Sequence, residues 1–119
     1  MRALSVLLLV ACMALLAGCG EPIPHDKSAY AGEWRGREMR LLITPDGRCE
    51  YARRHQGGAS TKISAPIQRF EGDNFVVGVG PFSTTFVVAR PPHLADGRWK
   101  MVVDGVELTR FSAPDEVRT

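Results

Sequence analysis

Three histidines, the cysteine at position 49 and a cluster of arginines are the residues of this 119-residue chain whose chemistry must be placed first. His25, His55 and His93 could hold a metal or move protons, but no pair of them has a spacing typical of metal ligands. Cys49 could act as a nucleophile beside a histidine. Flanked by Arg48 and Glu50 and sharing strand parity with Tyr51, it reads instead as a small buried apolar residue. No G-x-S-x-G occurs, and Gly78-Val79-Gly80-Pro81 lacks the glycine spacing and the helix that cradling a phosphate needs. The acidic residues scatter through turns and polar strand faces. A carboxylate pair that meets only in space stays open at this point. These residues point away from an enzyme, and we assign no catalytic residue, no metal ligand and no dissociable cofactor. The arginines are more concentrated. Residues 35–54 hold Arg35, Arg37, Arg40, Arg48, Arg53 and Arg54 against Glu38, Asp46 and Glu50, a local net charge of +3. Either they line a solvated sheet face whose charges discourage edge-to-edge pairing, or they form a patch for anionic headgroups, wall polymer or an acidic partner, weakened by salt. The first reading is the expected one. The whole chain carries only +2, too little to recruit nucleic acid.

A second chemistry is written at the N-terminus. Arg2 precedes an apolar run from Ala3 to Leu16, followed by the small residues Ala17 and Gly18, which is the layout of a secretory signal peptide. That run of 14 residues falls short of the roughly 20 that a spanning helix needs. Leu16-Ala17-Gly18-Cys19 resembles a bacterial lipobox. The resemblance implies cleavage before Cys19, a diacylglyceryl thioether on its sulfur and an acyl group on its new amino group. That covalent lipid is the only attached group expected, and two or more acyl chains anchor stably. Gly20 in place of an aspartate resembles the Gram-negative sorting pattern that implies the periplasmic face of the outer membrane. The chain then divides into a signal peptide (1–18), a lipidated N-terminus and tether (19–29), a β domain (30–111) and a flexible tail (112–119). Cleavage leaves 101 residues, suited to one small domain. With Cys12 removed and Cys19 acylated, Cys49 has no partner for an internal disulfide.

The elements that must position these residues are strands. Short apolar alternations are separated by Asp46-Gly47, Gly57-Gly58, Gly72-Asp73-Asn74, Asp96-Gly97 and Asp104-Gly105. They predict strands near 32–43, 48–55, 61–70, 74–79, 82–90, 98–103 and 106–111. The fold class is all-β, an antiparallel meander of about seven or eight strands forming a barrel or a sandwich. Alternation puts Cys49 with Tyr51 on one face, and likewise Phe75, Val77 and Val79; Phe82, Phe86 and Val88; and Trp99, Met101 and Val103. Trp34 is out of parity with Met39, Leu41 and Ile43, so a bulge is predicted near Gly36. Pro91-Pro92-His93-Leu94 reads as a stiff loop and, with residues 57–61, as the candidate contact surface.

Gly32-Glu33-Trp34 at the first strand, with Arg110 in the last, resembles the lipocalin and calycin arrangement. The resemblance implies that Gly32, Trp34 and Arg110 are structural, the guanidinium stacking on the indole to close a barrel, worth about 0.5 to 2 kcal/mol. The domain is shorter than typical lipocalins, so a filled interior is as compatible with the resemblance as a ligand cup. The expected function is a lipid-anchored envelope binding or scaffold module without catalysis. Its partners would be the membrane, through the anchor, and an envelope protein or a small apolar ligand. The alternative is a periplasmic inhibitor of a wall-degrading enzyme such as lysozyme. That alternative rests on a resemblance in size, anchor and all-β character to small lipoproteins that inhibit lysozyme. An envelope enzyme ranks last.

Overall fold

The described residues form nine strands: β1 (Gly32–Gly36), β2 (Met39–Ile43), β3 (Arg48–Arg54), β4 (Ser60–Glu71), β5 (Asn74–Val79), β6 (Phe82–Phe86), β7 (Val88–Ala95), β8 (Arg98–Val103) and β9 (Val106–Ser112). A computed structural model describes residues 21–112. The expected signal peptide and lipobox, with Cys19, and residues 113–119 lie outside the described residues. Every strand pair is antiparallel, and the order is β6-β5-β4-β3-β2-β1-β9-β8-β7. The first and last strands therefore meet in the middle of the sheet, and the two edges, β6 and β7, are consecutive in the chain. Only Val87 separates them, so the sheet curls into a half-barrel.

The inner face is packed with side chains. Trp34, Leu41, Ile43, Cys49, Phe75, Phe86, Met101, Val103 and Leu108 are all buried there. Phe75 stacks on Phe86 with ring centroids 5.1 Å apart, and Tyr51 meets Phe86 edge-on at 4.9 Å. Offset and edge-to-face contacts of this kind are the favoured aromatic geometries. A 3-10 helix, His25–Tyr30, seals one end. Trp34 Nε1 donates to the Tyr30 carbonyl at 2.9 Å, and the Tyr30 hydroxyl donates to the Asp73 carbonyl at 2.8 Å.

Three expectations are corrected. The strand expected over 32–43 is a hairpin: Arg37 and Glu38 form its turn, with Glu38 at φ 61°, and Trp34 faces Leu41 across it. Reversal of the chain, and no bulge at Gly36, reconciles the parity. The register shift of β1 lies instead between Glu33 and Trp34, against β9. The strand expected over 82–90 breaks at Val87, where the chain leaves β5 and joins β8. Val87 N–H donates to Asp104 Oδ1 at 2.9 Å, and Val88 N–H to Asn74 Oδ1 at 2.8 Å. Those tertiary bonds outweigh the local β propensity of Phe86-Val87-Val88. Pro91 to Leu94 are strand residues of β7, not a loop. An edge strand tolerates proline because the missing N–H would have faced solvent. Residues 25–29, at the end of the expected tether, form with Tyr30 the 3-10 helix that packs on the barrel end.

Candidate functional site

The six arginines of residues 35–54 separate into two groups. Arg35 and Arg40 each reach Glu33 at 2.8 Å, and Arg48 donates to the Ser64 hydroxyl at 3.0 Å. These three brace the outer face of the sheet. Arg37, Arg53 and Arg54 gather instead with Glu38, His55 and Glu107 around a cleft of about 600 Å³. The turn Arg37-Glu38 brings the first arginine. Register brings the second, because Arg53 stands opposite the buried Met39 and shares the inner face with Cys49 and Tyr51 at the mouth of the half-barrel. Arg54 follows on the outer parity, its N–H donating to the Glu38 carbonyl at 2.8 Å. The start of β9, with Val106 and Glu107, forms the far wall.

Among the described residues no carboxylate lies within ion-pair distance of Arg37, Arg53 or Arg54. Glu107 is drawn to Lys100 at 3.4 Å, and His55 Nε2 lies 2.8 Å from Thr61 Oγ1. Three guanidinium forks therefore border one cleft with their donors uncommitted. Guanidinium matches a carboxylate or phosphate edge with two parallel hydrogen bonds, so three such groups at one cleft could accept an oxyanion. No cysteine, serine or lysine lines the cleft.

The N-terminal segment is fixed at the other end of the same strands. Ile23 N–H donates to the Pro45 carbonyl at 3.1 Å, and the Glu21 backbone lies so close to Gly47 that a Cβ there would meet its carbonyl oxygen at 1.9 Å. Pro45 and Gly47 belong to the β2–β3 turn, whereas Arg37 and Arg53 lie at the opposite ends of β2 and β3. The length of β2 separates the two places, roughly 14 Å along the strand.

The other candidate residues fall into separate places. Trp34 and Arg110 are register partners across β1 and β9, with the Arg110 guanidinium 5.9 Å from the Trp34 ring and 5.1 Å from that of Trp99. Gly32, at φ 136°, is buried at the start of β1. The pair thus joins the first strand to the last. Pro91 to Leu94 form part of edge β7, where His93 Nδ1 lies 2.9 Å from the Pro91 carbonyl and Leu94 is exposed. His25 begins the 3-10 helix, His55 follows the last residue of β3 and His93 lies in β7, so the three histidines sit in three separate places. Burial, reinforced by the neighbouring Glu50 carboxylate, pushes the Cys49 thiol up to about 12, which keeps it protonated and unreactive at neutral pH. The cleft itself was visible in the sequence only as a local excess of arginine. Which arginines were already engaged depended on Glu33 and Ser64 across the sheet. Compared with known proteins, the chain matches no family model, no curated protein and no solved structure.

Proposed function

We propose that the protein is a lipid-anchored module of the bacterial envelope, held at the periplasmic face of the outer membrane through Cys19, that binds without catalysis. Its partner is an acidic segment of an envelope protein, held in the arginine-lined cleft. The observation that carries the reading is the opposition of two ends. Glu21 packs on Gly47 at one end of β2, and the uncommitted Arg37, Arg53 and Arg54 lie at the other. A lipid on Cys19, two residues before Glu21, would hold the first end at the membrane and turn the cleft toward the periplasm. The aromatic packing of Tyr51, Phe75 and Phe86 on the inner face favours a partner outside over a small apolar ligand within.

The test uses the full chain made in cells, beside Cys19→Ala and an Arg53→Gln/Arg54→Gln double variant. The parent should take up labelled palmitate and resist high-salt extraction from membranes, and Cys19→Ala should do neither. The double variant should stay anchored yet hold an acidic peptide about tenfold or more weaker, as loss of charge-assisted hydrogen bonds requires. An unlabelled parent would overturn the anchor, and equal peptide affinity would overturn the cleft.

A further inference from the structure

The two edges of the sheet are treated in opposite ways. Edge β7 carries Arg90, Pro91 and Pro92, and its pairing with β8 shifts register between Val88 and Arg90 and again between Arg90 and His93. Charge, proline and bulges are the devices that keep a foreign strand from adding to an edge. Edge β6, Phe82-Ser83-Thr84-Thr85-Phe86, has none of them. It has no charge and no proline, it pairs with β5 in unbroken register, and its residues from Phe82 to Thr85 are exposed. Such a strand presents a row of backbone donors and acceptors ready to pair. The inner face beside it is unfinished as well. Val79 and Phe82 are cross-strand neighbours at the tip of the β5–β6 hairpin, in the parity that buries Phe75 and Phe86, yet they are 60% and 83% exposed.

We infer that β6 pairs antiparallel with β6 of a second copy of this chain. The strand is self-complementary on reversal. A two-fold axis through Thr84 sets Phe82 opposite Phe86 of the second copy, Ser83 opposite its Thr85, and the two Thr84 residues opposite each other. The Ser–Thr and Thr–Thr pairs, all of exposed residues, are among the favourable cross-strand neighbours. The absence of charge on β6 means that no like charges meet across the axis. Phe82, the most exposed of the large apolar side chains among the described residues at 83%, is covered in part by the added strand, while Phe86 opposite it stays in its own core. An isologous contact of this kind uses the same strand in both copies and closes at two chains, leaving β7 as the protected outer edge of each.

The test is made on the full chain extracted in detergent. Residues directly opposite in an antiparallel pair have Cβ atoms about 4.5 to 5.5 Å apart, near the reach of a disulfide. Thr84→Cys should therefore convert mostly to a disulfide-linked pair of chains under mild oxidation, far beyond the parent chain and beyond Arg90→Cys on edge β7. Thr84→Lys would place two like charges across the axis. Because residue 84 is exposed, that variant should keep the parent's circular dichroism while its particle mass falls from two chains to one and its melting temperature loses whatever the pairing adds. Three results would overturn the inference. They are no crosslink at Thr84→Cys above the parent, equal yields at positions 84 and 90, or a Thr84→Cys adduct with a different protein in place of a second copy.

Discussion

Trp34 couples three parts of the fold: its own strand, the 3-10 helix through Tyr30 and β9 through Arg110. It is fully buried, its Nε1 donates to the Tyr30 carbonyl at 2.9 Å, and Arg110 lies over its ring. Trp34→Ala should cost about 3 to 5 kcal/mol, a fall in Tm of at least about 12 °C for a domain of this size. Arg110→Ala should cost less, about 0.5 to 2 kcal/mol, because only the cation–π contact and its packing are lost. Thermal scans of the two variants check both. A second residue-scale expectation concerns alkali. Burial, with the Asp73 carboxylate adding to it, raises the Tyr30 hydroxyl from 10.0 to about 12, and the Cys49 thiol rises from 9.0 to about 12 for the same first reason. Both groups are protonated in the fold and ionise at lower pH in the unfolded chain. Their contribution is thus complete below about pH 9 and is lost as pH climbs through the folded values. Melting should therefore be flat from about pH 7 to 9 and fall steadily toward pH 12, and Tyr30→Phe should flatten the part due to Tyr30. A melting temperature independent of pH across that window would contradict the burial of both groups.

At the scale of elements, glycine decides two close approaches. A Cβ on Gly36 would lie 2.5 Å from the Glu107 carbonyl and 2.7 Å from Leu108 Cδ2, so Gly36→Ala must push β1 away from β9. The expected cost is about 1 to 3 kcal/mol, read as faster hydrogen exchange of the β9 amides while those of β5 hold. Gly47→Ala meets the Glu21 carbonyl at 1.9 Å and also has φ 92°, so it should loosen the N-terminal segment. Faster proteolysis at Lys27 would report it. The strands themselves were legible from alternation, and β3, β5, β8 and β9 lie within a residue or so of where the pattern puts them. The breaks were not. Arg37-Glu38 lacks the glycine, asparagine or proline that marks most turns, and Gly36 beside it serves the approach of β9 instead. Val87 breaks a run of apolar residues only because Asn74 and Asp104, distant in sequence, take up the amides of Val88 and Val87. Pro91-Pro92 signals a loop unless the strand is known to lie on an edge. The cleft was half legible for the same reason: arginine content is local, but Arg53 faces the mouth of the barrel only through its register with Met39.

For the whole molecule the distribution of charge matters more than its sum. A net charge of +2 is unremarkable, yet the sheet spends Arg35 and Arg40 on Glu33 and leaves Arg37, Arg53 and Arg54 around one cleft. If the cleft holds an acidic segment, the interaction is electrostatic and partly exposed, so salt must weaken it. Raising ionic strength from 0.1 M to 1 M shortens the screening length from about 10 Å to about 3 Å. A labelled oligoglutamate peptide titrated against the full chain in detergent should lose affinity steadily across that range. Arg53→Gln/Arg54→Gln should bind more weakly at low salt and show a shallower salt dependence, because fewer charges remain to be screened. Arg35→Gln/Arg40→Gln is the matched control: it removes the same two charges from the outer face, where both arginines pair with Glu33, and should leave the salt slope close to that of the parent. Equal slopes for the outer-face and cleft double variants would mean that the peptide responds to overall charge, and the cleft would then be no more than a solvated end of the barrel.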